Sequence, residues 1–373
     1  MPAESRLASA ADVLRLRLAN QRLTAPVADA VALVAHLGAV QSQDYPAACW
    51  ALGLRLREPR ASAIEAAFSA GAILRTHVLR PTWHFVAPAD IRWMLDLTAA
   101  RIRASGAAYM RGLGLSESLL AKCSTVIGQA LGGGHSRTRV EFGAFLREAG
   151  VIAPDGATLG VILLYAELDG LVCSGPRRGK QDTYMLLRER APEAVVLERE
   201  AAIAELTWRY FNSHGPALVQ DCAWWSGLSG GEVKRGLEAN AARLRCAPLG
   251  GLTYWFSDAL ADASAAARDG SAFLLPNYDE YTVAYRQRDL YYDRATNATG
   301  VPRMDVPFRH VLLVDGQVMG RWSTTPRRES LRIDLHWSIS PTPAQEQAIA
   351  AAARAYAEFQ GLEEASVAVR HRE

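Results

Sequence analysis

The sequence predicts an α+β fold in which three groups of helices each end in a β-hairpin, and a β-rich segment follows them. Two observations predict this fold. The order of helical periodicity and then short strand patterns recurs three times, at intervals of roughly a hundred residues. After residue 270 the patterns change to strands. Helices followed by a hairpin are the order of a winged-helix (helix-turn-helix) domain, so we predict tandem domains of this kind.

The length of 373 residues also favours several domains over a single core. Each boundary lies between the end of one hairpin and the start of the next predicted element. The predicted domains are a first winged helix at 1–110, a second at 111–198, a third at 199–270 and a β-rich domain at 271–373.

Local patterns justify the elements in order. Capping patterns mark helix starts at Ser9 to Asp12, Ser62 to Glu65, Thr138 to Glu141 and Thr342 to Gln345. Helices are predicted at 27–37, 46–56, 116–130, 138–149, 157–169, 201–211, 216–226 and 231–241. Strands are predicted at 73–77, 82–86, 171–174, 182–187, 252–256, 273–276, 281–285, 310–314, 317–322 and 331–337. An Asp315-Gly316 turn joins two of the last strands.

Composition excludes several classes of protein. Charged residues make up 21% of the chain and the net charge is +2, so DNA binding would need local basic clusters. The five cysteines include no Cys-x-x-Cys pair, so we expect neither structural zinc nor a disulfide framework. The sequence shows no signal-peptide pattern and no apolar run long enough to span a membrane. We therefore expect a cytoplasmic protein.

Basic side chains are concentrated at the predicted hairpins. Arginine at a hairpin tip can contact a phosphate backbone or enter a minor groove. Arginine is, however, also common at exposed turns that only face solvent. Because such tips recur along one chain, we interpret them as a surface for double-stranded DNA. The candidate DNA-binding residues are Arg75, His77, Arg80, Thr82, His84, Arg177, Arg178, Lys180, Arg286 and Arg288.

Gln41 and Gln43 lie in a loop between two predicted helices. Their amides can hold a water molecule and a sugar or base edge, but they cannot act as a general base. That lack matters less for an alkylated purine, because it carries positive charge and its glycosidic bond can break without protonation of the leaving group. An enzyme then has to position water and stabilise an oxocarbenium-like sugar. From the pattern alone, a structural role between the helices is the stronger interpretation.

Five segments resemble, in order, the signatures of the winged-helix DNA glycosylase superfamily of AlkZ/YcaQ type. They are Gly38-Ala39-Val40-Gln41-Ser42-Gln43-Asp44, Leu79-Arg80-Pro81-Thr82-Trp83-His84-Phe85-Val86, His214-Gly215-Pro216-Ala217 with Trp224-Trp225-Ser226-Gly227, Leu275-Pro276-Asn277-Tyr278-Asp279-Glu280-Tyr281, and Asp315-Gly316-Gln317-Val318-Met319-Gly320-Arg321-Trp322. The resemblance covers nearly the whole chain. It implies tandem winged helices, a C-terminal β-barrel-like domain and excision of alkylated bases, including bases in interstrand crosslinks.

The same resemblance implies that Gln41 and Gln43 are catalytic. Gln-x-Gln is the hallmark of the AlkZ-type branch, whereas the YcaQ-type branch carries Gln-x-Asp. Ser42 departs from the apolar residue that often separates the pair, but alternation along the loop would turn its side chain away from both glutamines.

Other residues have stronger structural interpretations. Asp44 could activate water but is more often a helix cap, and Tyr45 could stack on a base but more often packs. His77 and His84 lack a third ligand at useful spacing, so no metal site is predicted. Further structural interpretations are core packing for Trp224 and Trp225, and a turn between strands for Asp279 and Glu280.

The resulting hypothesis is a monofunctional DNA glycosylase in base excision repair of alkylation damage. Its substrates would be cationic N7- or N3-alkylated purines, including bulky adducts or crosslinks, which a concave array of winged helices could admit without complete base flipping. We expect no cofactor, no obligate protein partner, a monomer and association with the nucleoid. Two alternatives stay open: a non-catalytic DNA-binding protein such as a transcriptional regulator, and a scaffold for protein contacts.

Overall fold

The computed structural model describes residues 7–257, 270–292, 305–326, 330–337, 341–362 and 364–371. The predicted domains at 1–110, 199–270 and 271–373 therefore lie partly outside the described residues. Over the described part of the chain the fold is mixed α/β, as predicted. No helix in that part is both long and apolar enough to cross a membrane.

The elements are numbered in chain order. The helices of the described residues are α1 (Ala10–Asn20), α2 (Ala30–Leu37), α3 (Tyr45–Gly53), α4 (Ala61–Ala70), α5 (Ile91–Gly112), α6 (Glu117–Leu131), α7 (Arg139–Glu148), α8 (Gly156–Leu168), α9 (Leu187–Arg190), α10 (Arg199–Ser213), α11 (Val219–Ser226), α12 (Gly230–Ala239), α13 (Glu280–Val283) and α14 (Pro343–Phe359). The strands are β1 (Ala39–Gln41), β2 (Leu74–His77), β3 (Trp83–Val86), β4 (Arg137–Thr138), β5 (Val172–Ser174), β6 (Thr183–Leu186), β7 (Leu244–Leu249), β8 (Leu252–Ser257), β9 (Ala272–Leu275), β10 (Val311–Val314), β11 (Gln317–Pro326), β12 (Ser330–Trp337) and β13 (Glu364–His371).

The predicted order of helices followed by an antiparallel hairpin recurs three times along the chain. The hairpins pair β2 with β3, β5 with β6, and β7 with β8. Helices α6, α7 and α8 begin and end within one residue of their predicted bounds. The sequence prediction missed β7, in which two consecutive residues are exposed, so the strand lacks the regular alternation that marks a half-buried strand.

Local capping chemistry explains why most helix starts were predictable. At Ser9, Thr138 and Thr342 the side chain accepts a bond from the backbone N–H three residues later, and the residue at that position bonds back to the cap. Each helix thus satisfies donors that its own ladder leaves open. The predicted cap at Ser62 is wrong, because α4 begins at Ala61 and places Ser62 inside its first turn.

The predicted strand at 281–285 is also wrong. This segment begins with the helical turn α13, and Asp279 caps it by accepting the Tyr281 N–H at 2.9 Å. A short apolar run is compatible with both a buried helical turn and a buried strand, so the sequence pattern did not distinguish them here. The 22-residue helix α5 and the strand β13 were not predicted.

The chain divides into two compact units, residues 1–64 with 204–373 and residues 65–203. We call them the split unit and the central unit. This division is coarser than the four predicted domains, whose boundaries stay a prediction.

The split unit contains a curled, half-barrel sheet of five strands in the order β13-β12-β11-β10-β9. Its pairs are antiparallel except for the parallel pair of β12 and β13. Asp315 and Gly316 form the predicted turn, with φ of 50° and 80°. Helix α14 packs on the sheet, and Phe359 and Tyr356 of α14 contact Trp50 of α3 with ring centroids 5.0 and 4.9 Å apart. These contacts fix α3, and with it the segment that precedes α3.

The central unit has a core formed by α6, α7 and α8 together with β5 and β6. Ile127, Phe142 and Ile162 from the helices meet Val172 and Leu186 from the strands, and all are at most 2% exposed. Strands β4, β6 and β5 form one antiparallel sheet. Five such side chains contribute on the order of 10 kcal/mol of burial free energy before the cost of ordering the chain.

Candidate active site

The Gln41-Ser42-Gln43 segment lies at a junction between a strand and a helix. Strand β1 ends at Gln41, and Asp44 caps α3 by accepting the Ala47 N–H at 3.2 Å. Gln41 is 7% exposed, Ser42 is fully buried and Gln43 is exposed. The chain therefore alternates as predicted at Ser42, whose side chain points into the protein. Gln43 lies at the surface, where a substrate could meet it.

A buried carboxylate, that of Glu280, holds the backbone of Gln41. Its backbone N–H donates to Glu280 Oε1 at 2.7 Å. The indole N–H of Trp225 donates to Glu280 Oε2 at 2.9 Å, and His214 Nε2 lies 3.4 Å from the same oxygen. Glu280, Trp225 and His214 are all fully buried. The prediction of Trp225 as core is confirmed, but that of Trp224 is wrong, because Trp224 is 44% exposed. The prediction of Glu280 as a turn residue between strands is also wrong.

The neighbouring acid, Asp279, is fixed by an arginine. Arg55 donates to both Asp279 oxygens at 2.8 Å, and it also donates to the carbonyls of Gln21 and Ala51. Asp279 caps α13 at the same time, so the helical turn that carries Glu280 is anchored to the end of α3. A bidentate arginine–carboxylate pair fixes orientation as well as distance. The position of Glu280 behind Gln41 is therefore built into the core.

Asp44, which directly follows Gln43 in the chain, has a structural role. Besides capping α3, its Oδ2 accepts a bond from Asn277 Nδ2 at 3.4 Å. Burial lowers the pKa of nearby His310, and the charge of Asp44 opposes part of that shift. The predicted structural interpretation of Asp44 is confirmed, and Tyr45 is buried as expected of a packing residue.

Four of the predicted DNA-binding residues are buried inside the protein. Arg75 donates to Asp182 at 2.9 Å and lies over the ring of Trp83 at 4.5 Å. The backbone N–H and Nδ1 of His77 contact Glu167 Oε2 at 2.8 and 2.6 Å. His84 and Arg288 complete this group, and each of the four is at most 8% exposed.

The other predicted DNA-binding residues reach the surface. Lys180 and Arg178 are exposed at the turn between β5 and β6, where Arg178 also pairs with Glu141 at 3.1 Å. Arg177 is half-buried and pairs with Asp182 at 3.3 Å. The remaining surface positions are Arg80 and Thr82, both half-buried in the turn between β2 and β3, and Arg286, exposed after α13.

The structure brings together residues that sequence reasoning left out of the site. His214, Trp225, Asp279 and Glu280 come from segments far apart in the chain, and only folding places them behind Gln41. A signal was present, since two adjacent acids stand in an otherwise apolar and aromatic stretch. In the described part of the chain, no group of three or more His, Cys, Asp or Glu side chains is arranged to hold a metal ion.

Comparison with known proteins places the chain in a family. The family model described as DNA glycosylase AlkZ-like matches residues 34–359. A search of curated proteins found no match. Among solved structures, the fold is similar to that of Streptomyces sahachiroi DNA glycosylase AlkZ, with a TM-score of 0.80, 20% identity, and coverage of 97% of this chain and 100% of that chain. Because the family model spans most of the sequence and includes the Gln41-to-Gln43 segment and Glu280, this chain belongs to the AlkZ-like DNA glycosylase family.

Proposed function

We propose that this protein hydrolyses the N-glycosidic bond of cationic N-alkylated purines in double-stranded DNA. The observation that carries the proposal is the Gln41-to-Gln43 junction, where an exposed glutamine follows a buried one whose backbone N–H is bonded to Glu280. An N7- or N3-alkylated purine leaves as a neutral base, so the enzyme need not protonate it. Two amides can then suffice, because the remaining work is to hold water and to stabilise positive charge on the deoxyribose.

The exposure of Gln43 also favours a substrate that is not enclosed in a deep pocket. We therefore include bulky adducts and interstrand crosslinks in the proposed substrate class, as the resemblance implies. We further propose that each group of helices with its hairpin is a winged helix. Arg80, Thr82, Arg177, Arg178, Lys180 and Arg286 are the proposed DNA contacts that reach the surface.

The proposed reaction is monofunctional, ending at an abasic site. Strand cleavage through a Schiff base would need an amine at the sugar, and the lysines of this chain are Lys122, Lys180 and Lys234. None of them belongs to the segments that build the Gln41-to-Gln43 junction. Borohydride should therefore trap no covalent complex between the protein and an abasic duplex, and a trapped complex would contradict this part of the proposal.

The test uses a duplex with one N7-methylguanine and a second duplex with an N7-linked crosslink. Released base is quantified directly, and abasic sites are counted as strand breaks after alkali. Gln41→Ala and Gln43→Ala should each lower the single-turnover rate by about 100-fold or more while duplex affinity is kept. Gln347→Ala, which removes an exposed glutamine from α14, is the matched control and should leave the rate unchanged.

The alternative gives a different result in the same assay. Tight duplex binding without base release from either substrate would point to a non-catalytic DNA-binding protein such as a regulator. Loss of salt-dependent duplex binding altogether would point instead to a scaffold for protein contacts.

A further inference from the structure

The carboxylate of Glu280 is the centre of a buried polar network that contacts the backbone of Gln41. It accepts the Gln41 backbone N–H on one oxygen and the Trp225 indole N–H on the other, at 2.7 and 2.9 Å. Burying a carboxylate is costly, and a fold keeps one inside when its bonds fix a particular arrangement of the chain. Here the fixed element is the backbone of a residue in the proposed active site.

Buried hydrogen bonds also hold the backbone of the segment that carries His214. Its three successive carbonyls each accept a bond from a buried side chain. Tyr285 Oη donates to His214 O at 2.7 Å, Asn20 Nδ2 to Gly215 O at 2.7 Å and Arg17 Nε to Pro216 O at 2.8 Å. With all three carbonyls bonded, the backbone at His214 cannot move without breaking buried hydrogen bonds, so the ring stays beside Glu280.

The tautomer of His214 follows from its neighbour Ser213. The Ser213 hydroxyl has one hydrogen and donates it to the Arg209 carbonyl at 2.6 Å. It must therefore accept at its 2.8 Å contact with His214 Nδ1, which carries a hydrogen. Nε2 then faces Glu280 Oε2 at 3.4 Å. The two atoms do not meet hydrogen-bond geometry, so the imidazole bounds the Glu280 carboxylate by close contact.

Aromatic packing fixes the plane of the same ring. Tyr210 stacks on His214 with a centroid distance of 5.0 Å and an interplanar angle of 6°, and Trp225 lies 5.2 Å away. Glu280 is thus bounded by a fixed imidazole, a fixed indole and the Gln41 amide, and its two oxygens have little freedom to turn.

We propose that Glu280 is a positioning residue for base excision, oriented by His214 and Trp225 and acting through the backbone of Gln41. This inference rests on the proposed glycosylase function. By fixing the Gln41 backbone N–H, Glu280 sets the orientation of Gln41 at the end of β1, and hence where its side chain meets the sugar. Preorganised polar groups lose catalytic effect when their support loosens, even if every catalytic side chain is still present.

The test compares Glu280→Gln, Gln41→Ala and the double variant in single-turnover excision at saturating duplex. A glutamine has one acceptor oxygen where the carboxylate uses two, so either the Gln41 or the Trp225 donor loses its acceptor. We expect the excision rate to fall by about 10- to 100-fold with unchanged duplex affinity. In the double variant the loss of excision rate should be no larger than in Gln41→Ala, because Glu280 acts only through Gln41, which that change already removes. An unchanged rate in Glu280→Gln, or losses that multiply in the double variant, would overturn the proposal.

Glu167→Gln is a matched control for removing a buried glutamate charge. Glu167 is 1% exposed and also has a histidine and an indole as partners, but it lies in the central unit beside His77 and Trp83. Glu167→Gln should lower the melting temperature about as much as Glu280→Gln does, without changing the saturated excision rate. An equal rate loss in Glu167→Gln would show a general folding effect and would overturn the specific role of Glu280.

Amide hydrogen exchange separates this inference from the proposed function. Even if the wild-type protein releases no base from any duplex, the Gln41 amide should exchange at least about 10-fold faster in Glu280→Gln. Unchanged exchange would contradict the positioning role by itself. If Glu280→Gln does not fold, Trp225→Phe serves instead, since it removes the second donor to Glu280 and should speed Gln41 exchange and slow excision. No effect of Trp225→Phe on either readout would overturn the proposal.

Discussion

Arg55 and Asp279 are separated by 224 residues in the sequence and form two parallel hydrogen bonds of 2.8 Å in the interior of the split unit. Both side chains are at most 1% exposed. The pair joins the end of α3 to the cap of α13, and thereby joins the two segments that carry Gln43 and Glu280. Together with the bond from the Gln41 N–H to Glu280, it holds these segments in one site.

Removing one partner of this pair should strongly destabilise the protein. Asp279→Ala leaves the Arg55 charge buried, which typically costs about 3–5 kcal/mol of unfolding free energy. The exposed pair of Arg60 and Glu58 is the control, and Glu58→Ala should cost less than about 1 kcal/mol. Urea denaturation of both variants measures the difference, and equal losses would contradict the structural role of Asp279.

His36 should make stability depend on pH in mildly acidic solution. Burial lowers the pKa of His36 from 6.5 to about 4, although its bond to the Asn20 carbonyl at 2.8 Å opposes the shift. The unfolded chain binds a proton at higher pH than the folded one. Stability from this residue is therefore complete above pH 6.5 and is lost as pH falls toward 4, by on the order of 3 kcal/mol. His36→Gln should flatten this dependence in denaturation curves at pH 7 and pH 5. The prediction fails if the two proteins respond equally to pH.

Gly215 should tolerate no side chain. A Cβ there would lie 2.4 Å from the Phe211 carbonyl oxygen and 2.9 Å from Phe256 Cα, so the backbone would have to move. We expect Gly215→Ala to cost at least about 1–3 kcal/mol. Gly231 in α12 has open space around its Cβ position, and Gly231→Ala should stabilise the helix by up to about 1 kcal/mol. Thermal unfolding of both variants checks the contrast, which would be refuted by shifts of the same sign.

Arg178 and Lys180 should contribute to DNA affinity without affecting folding. Both are exposed at one turn, and the exposed pair of Arg178 with Glu141 is too weak to compete strongly with phosphate. Replacing each by alanine should weaken duplex binding and reduce the slope of log affinity against log salt by about 1 per residue. Arg188→Ala, an exposed charge on the nearby helix α9, is the comparison. If it produces the same change in slope, the turn has no special role.

The sequence by itself determined the elements whose causes are local. Capping boxes at Ser9, Thr138 and Thr342, the Asp315-Gly316 turn and the first two hairpins depend on residues a few positions apart, so pattern and position agree in the structure. The Gln-x-Gln segment and the family signatures are likewise local, which is why family membership could be inferred before the fold was known.

The tertiary structure decided which side chains share the site and which cations reach the surface. Nothing near Glu280 in the chain indicates that its carboxylate accepts the amide of Gln41, because that bond depends on packing between segments 239 residues apart. Nor does the hairpin pattern show that Arg75 and His77 are buried against Asp182 and Glu167. Burial and long-range pairing are properties of the packed chain, whereas periodicity and capping are properties of its neighbouring residues.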